Sequence, residues 1–298
     1  MKKVAIFGQA YKNTDRRYFE ILIENLNKFN IEILIEKDFV TILDDLGVEN
    51  LNYKTFQKHE DLDSSFDLLF TLGGDGTILN AATLVKDLGI PILGINTGRL
   101  GFLATVQKKE IKNTINSLIK KEYTVQERAV LQINSNDSSV KFDNINFALN
   151  EVTIARKNST SMIGVEAYLN DEYLTTYWAD GLVVATPTGS TGYSLSCHGP
   201  IIMPESNNFV LTPIAPHNLS ARPLVIPDRT EIKLKIIGRE KEFFLSLDSR
   251  VSTVPFEIEL TLTKAKFPVK IIQLNQQTFI GTLREKLFWG EDKRNYNS

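Results

Sequence analysis

Between two apolar runs, Asp67-Leu68-Leu69-Phe70-Thr71-Leu72 and Ile78 to Val85, the chain reads Gly73-Gly74-Asp75-Gly76-Thr77. The first run has the composition of a buried strand and the second opens a helix, so a strand–turn–helix unit is predicted here. The glycines let backbone N–H groups crowd around an anion at a helix N-terminus, where the helix dipole also favours negative charge. Asp75 sets a carboxylate inside that cradle. An acid there either meets a metal ion or takes a proton, which is the outline of a phosphoryl-transfer site.

The first hundred residues alternate strand and helix. Strands are predicted at Val4–Phe7, Ile31–Ile35, Leu68–Leu72 and Ile90–Ile95. Helices are predicted at Thr14–Phe29, with Phe19, Leu22, Leu26 and Phe29 as its stripe, at Thr77–Lys86, and at Lys108–Lys120 with Ile111, Ile115, Leu118 and Ile119. This alternation indicates an α/β domain built on an open, mostly parallel sheet. Ligands of such sheets sit beyond the carboxyl ends of the strands, where the Gly73–Thr77 turn falls.

From Tyr123 the texture changes to short runs of Val, Ile, Thr, Phe and Tyr between turn formers. Strands are predicted at Val130–Asn134, Phe147–Ile154, Met162–Leu169, Gly181–Thr186, Glu231–Ile237, Phe243–Leu247 and Phe256–Lys264. The expected organisation is an α/β domain over 1–122, a β-rich domain over 123–280 that binds the ligand, and a C-terminal tail over 281–298. Leu287, Phe288 and Trp289 of the tail are expected to pack back onto the body or onto a partner subunit, and Glu291–Ser298 to be polar and mobile. No low-complexity linker separates the halves, so a cleft between them is the expected ligand site.

Charge narrows the class of partner. Over 298 residues, 34 basic and 36 acidic side chains give a net charge of −2, which offers no support for nucleic acid or an anionic membrane. The single cysteine, Cys197, excludes an intramolecular disulfide framework and fits a reducing compartment. No run approaches the roughly 18 apolar residues of a membrane span. The two lysines before Val4 lead into an apolar run too short for a signal peptide, so a cytoplasmic protein is expected. His59, His198 and His217 are widely spaced and show no metal-ligand pattern.

Four further segments carry polar chemistry. Asn96-Thr97-Gly98-Arg99-Leu100-Gly101-Phe102-Leu103 follows a predicted strand and reads equally as a tight turn. Asn150-Glu151 interrupts an apolar strand region; alone, such a pair is usually a solvated strand end. Asp180-Gly181 and then Thr186-Pro187-Thr188-Gly189-Ser190-Thr191-Gly192-Tyr193-Ser194-Leu195-Ser196 supply hydroxyls and free amides at a predicted helix start, suited to an oxygen-rich ligand. Asp248-Ser249-Arg250 closes a strand, where an aspartate is more often a turn former than a ligand group. The P-loop, the GxGxxG dinucleotide fingerprint, the GxSxG elbow and the protein-kinase signatures are absent.

With those segments in view, the chain resembles the NAD kinases, bacterial type, within the wider group of GGDGT kinases that includes lipid kinases. Gly73–Thr77 is shared by the whole group. The choice among its members comes from Asn96-x-Gly98-x-Leu100-Gly101-Phe102-Leu103, Asn150-Glu151, Thr186–Ser196 and His217-Asn218-Leu219-Ser220-x-Arg222-Pro223, which occur in the family's order over about residues 1–290. The resemblance implies ATP-dependent phosphorylation of the adenosine 2′-hydroxyl of NAD to give NADP, with Mg²⁺ or another divalent cation accompanying ATP. It implies that Asp75 is the catalytic base and that Gly73, Gly74 and Gly76 keep the turn open for phosphates. Asn150 and Glu151 would hold the nicotinamide-side ribose or, in another register, adenine-side groups. Asp180, Thr191, Gly192, Tyr193, Ser194, Leu195, Ser196 and Ala215 would line the dinucleotide pocket. A homodimer or homotetramer is implied, because some family contacts come from a neighbouring subunit.

The chain departs from the family pattern at Gly192, where alanine is commoner, at Arg250, where many bacterial members have glutamine, and at Asn80, where some have a basic residue. The alternatives are a GGDGT lipid kinase, which would need a membrane-facing apolar or basic surface that the sequence does not show, and a non-catalytic dinucleotide sensor, against which the retained Asp75 argues.

Overall fold

The strand Leu68–Gly73 is buried along its whole length. It lies parallel to Lys3–Gly8 on one side and to Ile92–Asn96 on the other. A strand so enclosed must be apolar on both faces, which explains its unbroken run. The computed structural model describes residues 1–9, 16–48, 53–137, 140, 142, 145–158, 162–256 and 258–289. Their contacts divide the chain into two units, Met1–Glu127 with the C-terminal segment from Val269, and Arg128–Pro268.

The sheet of the first unit runs Lys54–Phe56, Glu32–Glu36, Lys3–Gly8, Leu68–Gly73, Ile92–Asn96, Val269–Leu274 and Tyr123–Arg128, with the short Val106–Gln107 also beside Ile92–Asn96. The helix Arg16–Lys28 buries Phe19, Leu22, Ile23 and Leu26. Phe29 falls after its end and is exposed, so it leaves the predicted stripe; Thr14 and Asp15 lie outside the described residues. A helix that the sequence reading did not predict, Lys37–Asp45, starts where the Glu36 carboxylate accepts from the Asp38 and Phe39 N–H groups at 3.1 and 2.8 Å. The helix Asp75–Val85 begins directly after Gly74. Ile111–Ile119 is helical behind a 3₁₀ turn over Lys108–Glu110.

The chain returns to this unit at its C-terminal end. Val269–Leu274, which the sequence reading gave to the β-rich segment, pairs in parallel with Ile92–Asn96. The helix Phe279–Leu287 follows, capped by Thr278 Oγ1 accepting from Gly281 N–H. Lys286 Nζ donates to the Leu100 carbonyl at 2.6 Å, Phe279 packs on Phe102, and Thr105 and Gln277 exchange two hydrogen bonds. The helix Phe279–Leu287 therefore packs back onto residues 100–105, whereas Phe288 and Trp289, expected to pack onto the body or a partner subunit, are exposed. Glu291–Ser298 lies outside the described residues.

The second unit holds two six-stranded sheets. One runs Leu224–Pro227, Asn208–Ile214, Gly181–Ala185, Glu151–Arg156, Glu242–Leu247, Arg250–Pro255; the other runs Glu172–Ala179, Ile163–Leu169, Ile232–Ile237, Glu259–Lys264, Leu131–Ser135, Phe147–Ala148. Their pairings are antiparallel. Alternation places the core: Ile232, Leu234 and Ile236 join one cluster with Val152, Ile154, Leu182 and Leu245 of the other sheet, while Lys233 and Lys235 face outward. The predicted strand Phe147–Ile154 is broken in two at Leu149-Asn150, where the backbone turns its N–H groups onto a side chain described below.

Candidate active site

In the first unit the site is built around one carboxylate. Asp75 opens its helix, and its side chain reaches across to the Gly101–Ala104 turn. Oδ2 accepts from Phe102 N–H at 2.8 Å, and Oδ1 accepts from Leu103 and Ala104 N–H at 3.0 and 2.9 Å. A carboxylate offers about four lone-pair sites, so three donors leave room for roughly one more. The turn has to be glycine at its head: a Cβ on Gly101 would stand 1.8 Å from Asp75 Oδ1. The turn is itself held from the strand end, where Asn96 Nδ2 donates to the carbonyls of Arg99 and Ala104 at 2.6 and 3.3 Å. Asn96, Gly101, Phe102 and Leu103, whose segment reads in the sequence equally as a tight turn, are thus the holder of Asp75. Beside Asp75, the glycines at 74 and 76 border open space, with nothing within 4 Å of where a Cβ would lie. Asn80 is one helical turn on and donates to Gln9 Oε1 at 2.6 Å.

In the second unit Asn150-Glu151, Thr186–Ser196 and Asp248 come together. The hydroxyls of the polar segment divide into two sets. Thr186 Oγ1 donates to the Leu149 carbonyl at 2.6 Å, Ser190 Oγ to the Pro187 carbonyl at 2.7 Å, and Ser194 Oγ shares a 2.9 Å bond with Thr212 Oγ1. These three are buried and brace the fold. Thr191 is partly buried, and Tyr193 and Ser196 are exposed, on the 3₁₀ turn Thr188–Thr191 and the short helix Tyr193–Ser196. Leu195 is half-buried. The Asp180 carboxylate pairs with Arg156 at 2.9 Å. Ala215 is exposed and held at φ 43°, a strained region for a residue with a Cβ.

Asp248 is the residue whose part was hardest to see in the sequence. It sits at φ 52° in the two-residue connection between Leu247 and Arg250, which is the turn-forming role expected of it. Its buried carboxylate also accepts from three peptide N–H groups, Leu149 at 3.0 Å, Asn150 at 2.7 Å and Glu151 at 3.2 Å. Arg250 stands 3.8 Å from Asp248 Oδ2 and donates to the carbonyls of Ile145 and Phe147. Its guanidinium therefore clamps the backbone on the far side of the same turn.

Glu151 is buried, and among the described residues the Tyr193 peptide N–H is the one donor directed at its carboxyl. Burial first, and then the charge of Asp248, push it up to about 8. Two acceptor atoms here, Glu151 Oε2 and Asn150 Oδ1, are buried with no hydrogen-bond partner among the described residues. Such atoms are costly unless a ligand or water completes them.

Comparison with known proteins agrees over nearly the whole chain. Residues 4–123 match the family described as ATP-NAD kinase N-terminal domain, and residues 149–274 the ATP-NAD kinase C-terminal domain. The chain is 53% identical over 294 residues to an NAD kinase of Flavobacterium psychrophilum, covering 98% of this chain and 100% of that one. It is 42% identical over 293 residues to an NAD kinase of Bacteroides fragilis, covering 98% and 99%. Among solved structures, yeast NADH kinase complexed with NADH superposes with a TM-score of 0.87 at 25% identity, covering 98% of this chain and 88% of that one. An NAD kinase from Archaeoglobus fulgidus in complex with ATP gives 0.72 at 25% identity, covering 95% and 98%.

Proposed function

The chain belongs to the NAD kinase family, and on that premise we propose that it transfers the γ-phosphoryl group of ATP to the adenosine 2′-hydroxyl of NAD, giving NADP and ADP. The observation that carries the reading is the Asp75 carboxylate, fixed by three peptide donors with about one acceptor position left. Asp75 takes the hydroxyl proton through that position and aims the oxygen at the γ-phosphorus. The new O–P bond forms as the bond to ADP breaks, and the proton passes to the carboxylate. Phosphoryl transfer asks mainly for positioning and charge stabilisation, which suits a rigidly held acid.

Asn150 and Glu151, with Asp180, Thr191, Gly192, Tyr193, Ser194, Leu195, Ser196 and Ala215, hold the dinucleotide. The support is the pair of unpartnered buried atoms at Asn150 and Glu151 and the half-open hydroxyl face of Thr191, Tyr193 and Ser196. Ser194 contributes through its backbone, because its hydroxyl is engaged with Thr212. Gly74 and Gly76 leave the turn open to the triphosphate, whereas Gly73, for which the resemblance implies the same part, makes room for the Thr77 side chain. Among the described residues no three His, Cys, Asp or Glu side chains form a metal-binding group. The divalent cation enters as part of the MgATP substrate.

The reaction draws on the ATP and NAD of the cytoplasm, where a chain with one thiol is at home. Exposed Tyr173, Trp178, Val225 and Val251 on the second unit favour a homodimer or homotetramer, and a single-chain mass in solution would remove that part of the reading. The activity is tested by incubating the purified protein with NAD, ATP and Mg²⁺. NADP and ADP should appear in equal amounts; NAD that binds but is never phosphorylated, whatever the donor, would make the protein a sensor.

A further inference from the structure

Two buried carboxyls meet in the second unit, and only one of them is well supplied with donors. Asp248 accepts from three peptide N–H groups and has Arg250 at 3.8 Å. Glu151 has the Tyr193 N–H, and its Oε2 has no partner among the described residues. Neighbouring buried carboxyls resist carrying two charges, and the proton settles on the one with fewer donors. Burial raises Asp248 too, but its N–H donors and Arg250 pull the other way. The other titratable groups around Glu151 are the Tyr193 phenol and the Cys197 thiol, on and just after the short helix. Both are pushed up by burial first, so both are neutral at pH 7. Asp180, which acts on Tyr193, is paired with Arg156.

The Glu151 carboxyl and the Asn150 carboxamide, which carry the two unpartnered atoms, border one space. A Cβ added to Gly192 would lie 3.0 Å from Glu151 Oε2 and 3.4 Å from Asn150 Nδ2. Glycine keeps that space open where an alanine would crowd the carboxyl. A ribose hydroxyl there has one proton to give and two lone pairs to receive with. If Glu151 were ionised, it and Asn150 Oδ1 would compete for the single proton. If Glu151 is neutral, it donates to the hydroxyl oxygen, and the hydroxyl donates on to Asn150 Oδ1, so that every group is satisfied.

We propose that Glu151 works as a neutral acid that donates a hydrogen bond to a ribose hydroxyl of the dinucleotide, with Asp248 as the positioning residue that keeps the proton on Glu151. This rests on the placement of the dinucleotide at Asn150-Glu151 proposed above.

The test is calorimetric binding of NAD to the purified full-length protein from pH 7 to pH 9, a range over which the pyrophosphate of NAD stays ionised. With Glu151 titrating at about 8, its neutral fraction falls from about nine-tenths to about one-tenth, so Kd should weaken about tenfold. Glu151→Gln cannot ionise, and its profile should be flat whatever its Kd at pH 7. Asp248→Asn should move the fall to lower pH, because the neighbouring charge is gone. A wild-type Kd that is flat or tightens with pH, a sloping Glu151→Gln profile, or an unmoved Asp248→Asn midpoint overturns the proposal. Glu151→Ala separates the two readings. If it leaves Kd at pH 7 unchanged, the dinucleotide is not held at Glu151. If it weakens binding while the wild-type profile is flat, the placement stands and the neutral acid falls.

Discussion

Asp75 is held by the main chain, and that decides which substitutions should matter. Among the described residues no side chain supplies its hydrogen bonds; the peptide groups of Phe102, Leu103 and Ala104 do, so their side chains are free of that duty. Gly101 is the exception, since a single methyl group at that position meets the carboxylate at 1.8 Å. Gly101→Ala should lower kcat by about tenfold or more through loss of orientation, with circular dichroism unchanged. Combined with Asp75→Asn it should cost little beyond the single change, because both act through one group. Full additivity in that double variant would show that Gly101 acts elsewhere. The sequence revealed Asp75 and the family's Asn-x-Gly-x-Leu-Gly-Phe-Leu segment, but not that one holds the other. Asp75 and Phe102, 27 positions apart in sequence, are brought together by parallel pairing of Leu68–Gly73 with Ile92–Asn96.

Elements show where local pattern ends as a guide. Strands with a continuous apolar run, such as Leu68–Gly73 and Gly181–Ala185, were legible because burial on both faces leaves its mark on every residue. Glu172–Ala179 and Arg250–Pro255 were not, for they lie at sheet edges and carry mostly exposed or half-exposed residues. Lys37–Asp45 was missed because its cap is a glutamate, outside the usual Ser, Thr, Asp and Asn signal. The departure at Arg250 gains an explanation at this scale. Its guanidinium ties the first residues of one strand to the Ile145 and Phe147 carbonyls, the backbone leading into Leu149-Asn150. Arg250→Met keeps the stem and removes those charged donors. It should destabilise the protein by about 2–3 kcal/mol, read as a lower melting temperature. An unchanged melting temperature with a weakened NAD Kd would instead make Arg250 a ligand contact.

At the scale of the whole molecule, the chain leaves its first unit after Glu127 and returns at Val269 to complete the same sheet. That return was invisible in the sequence, since Val269–Leu274 looks like any other β run and its partner lies about 180 residues earlier. Its consequence is functional. The helix Phe279–Leu287 rests on Leu100, Phe102 and Thr105, so the end of the chain supports the turn that holds Asp75. The whole account converges on that carboxylate as the partner of the acceptor hydroxyl, and comparison of wild type with Asp75→Asn under single turnover tests it most directly. The account predicts that the variant binds NAD within a few-fold of wild type and transfers the γ-phosphoryl group at least about 100-fold more slowly. Equal transfer rates at equal NAD occupancy would contradict it.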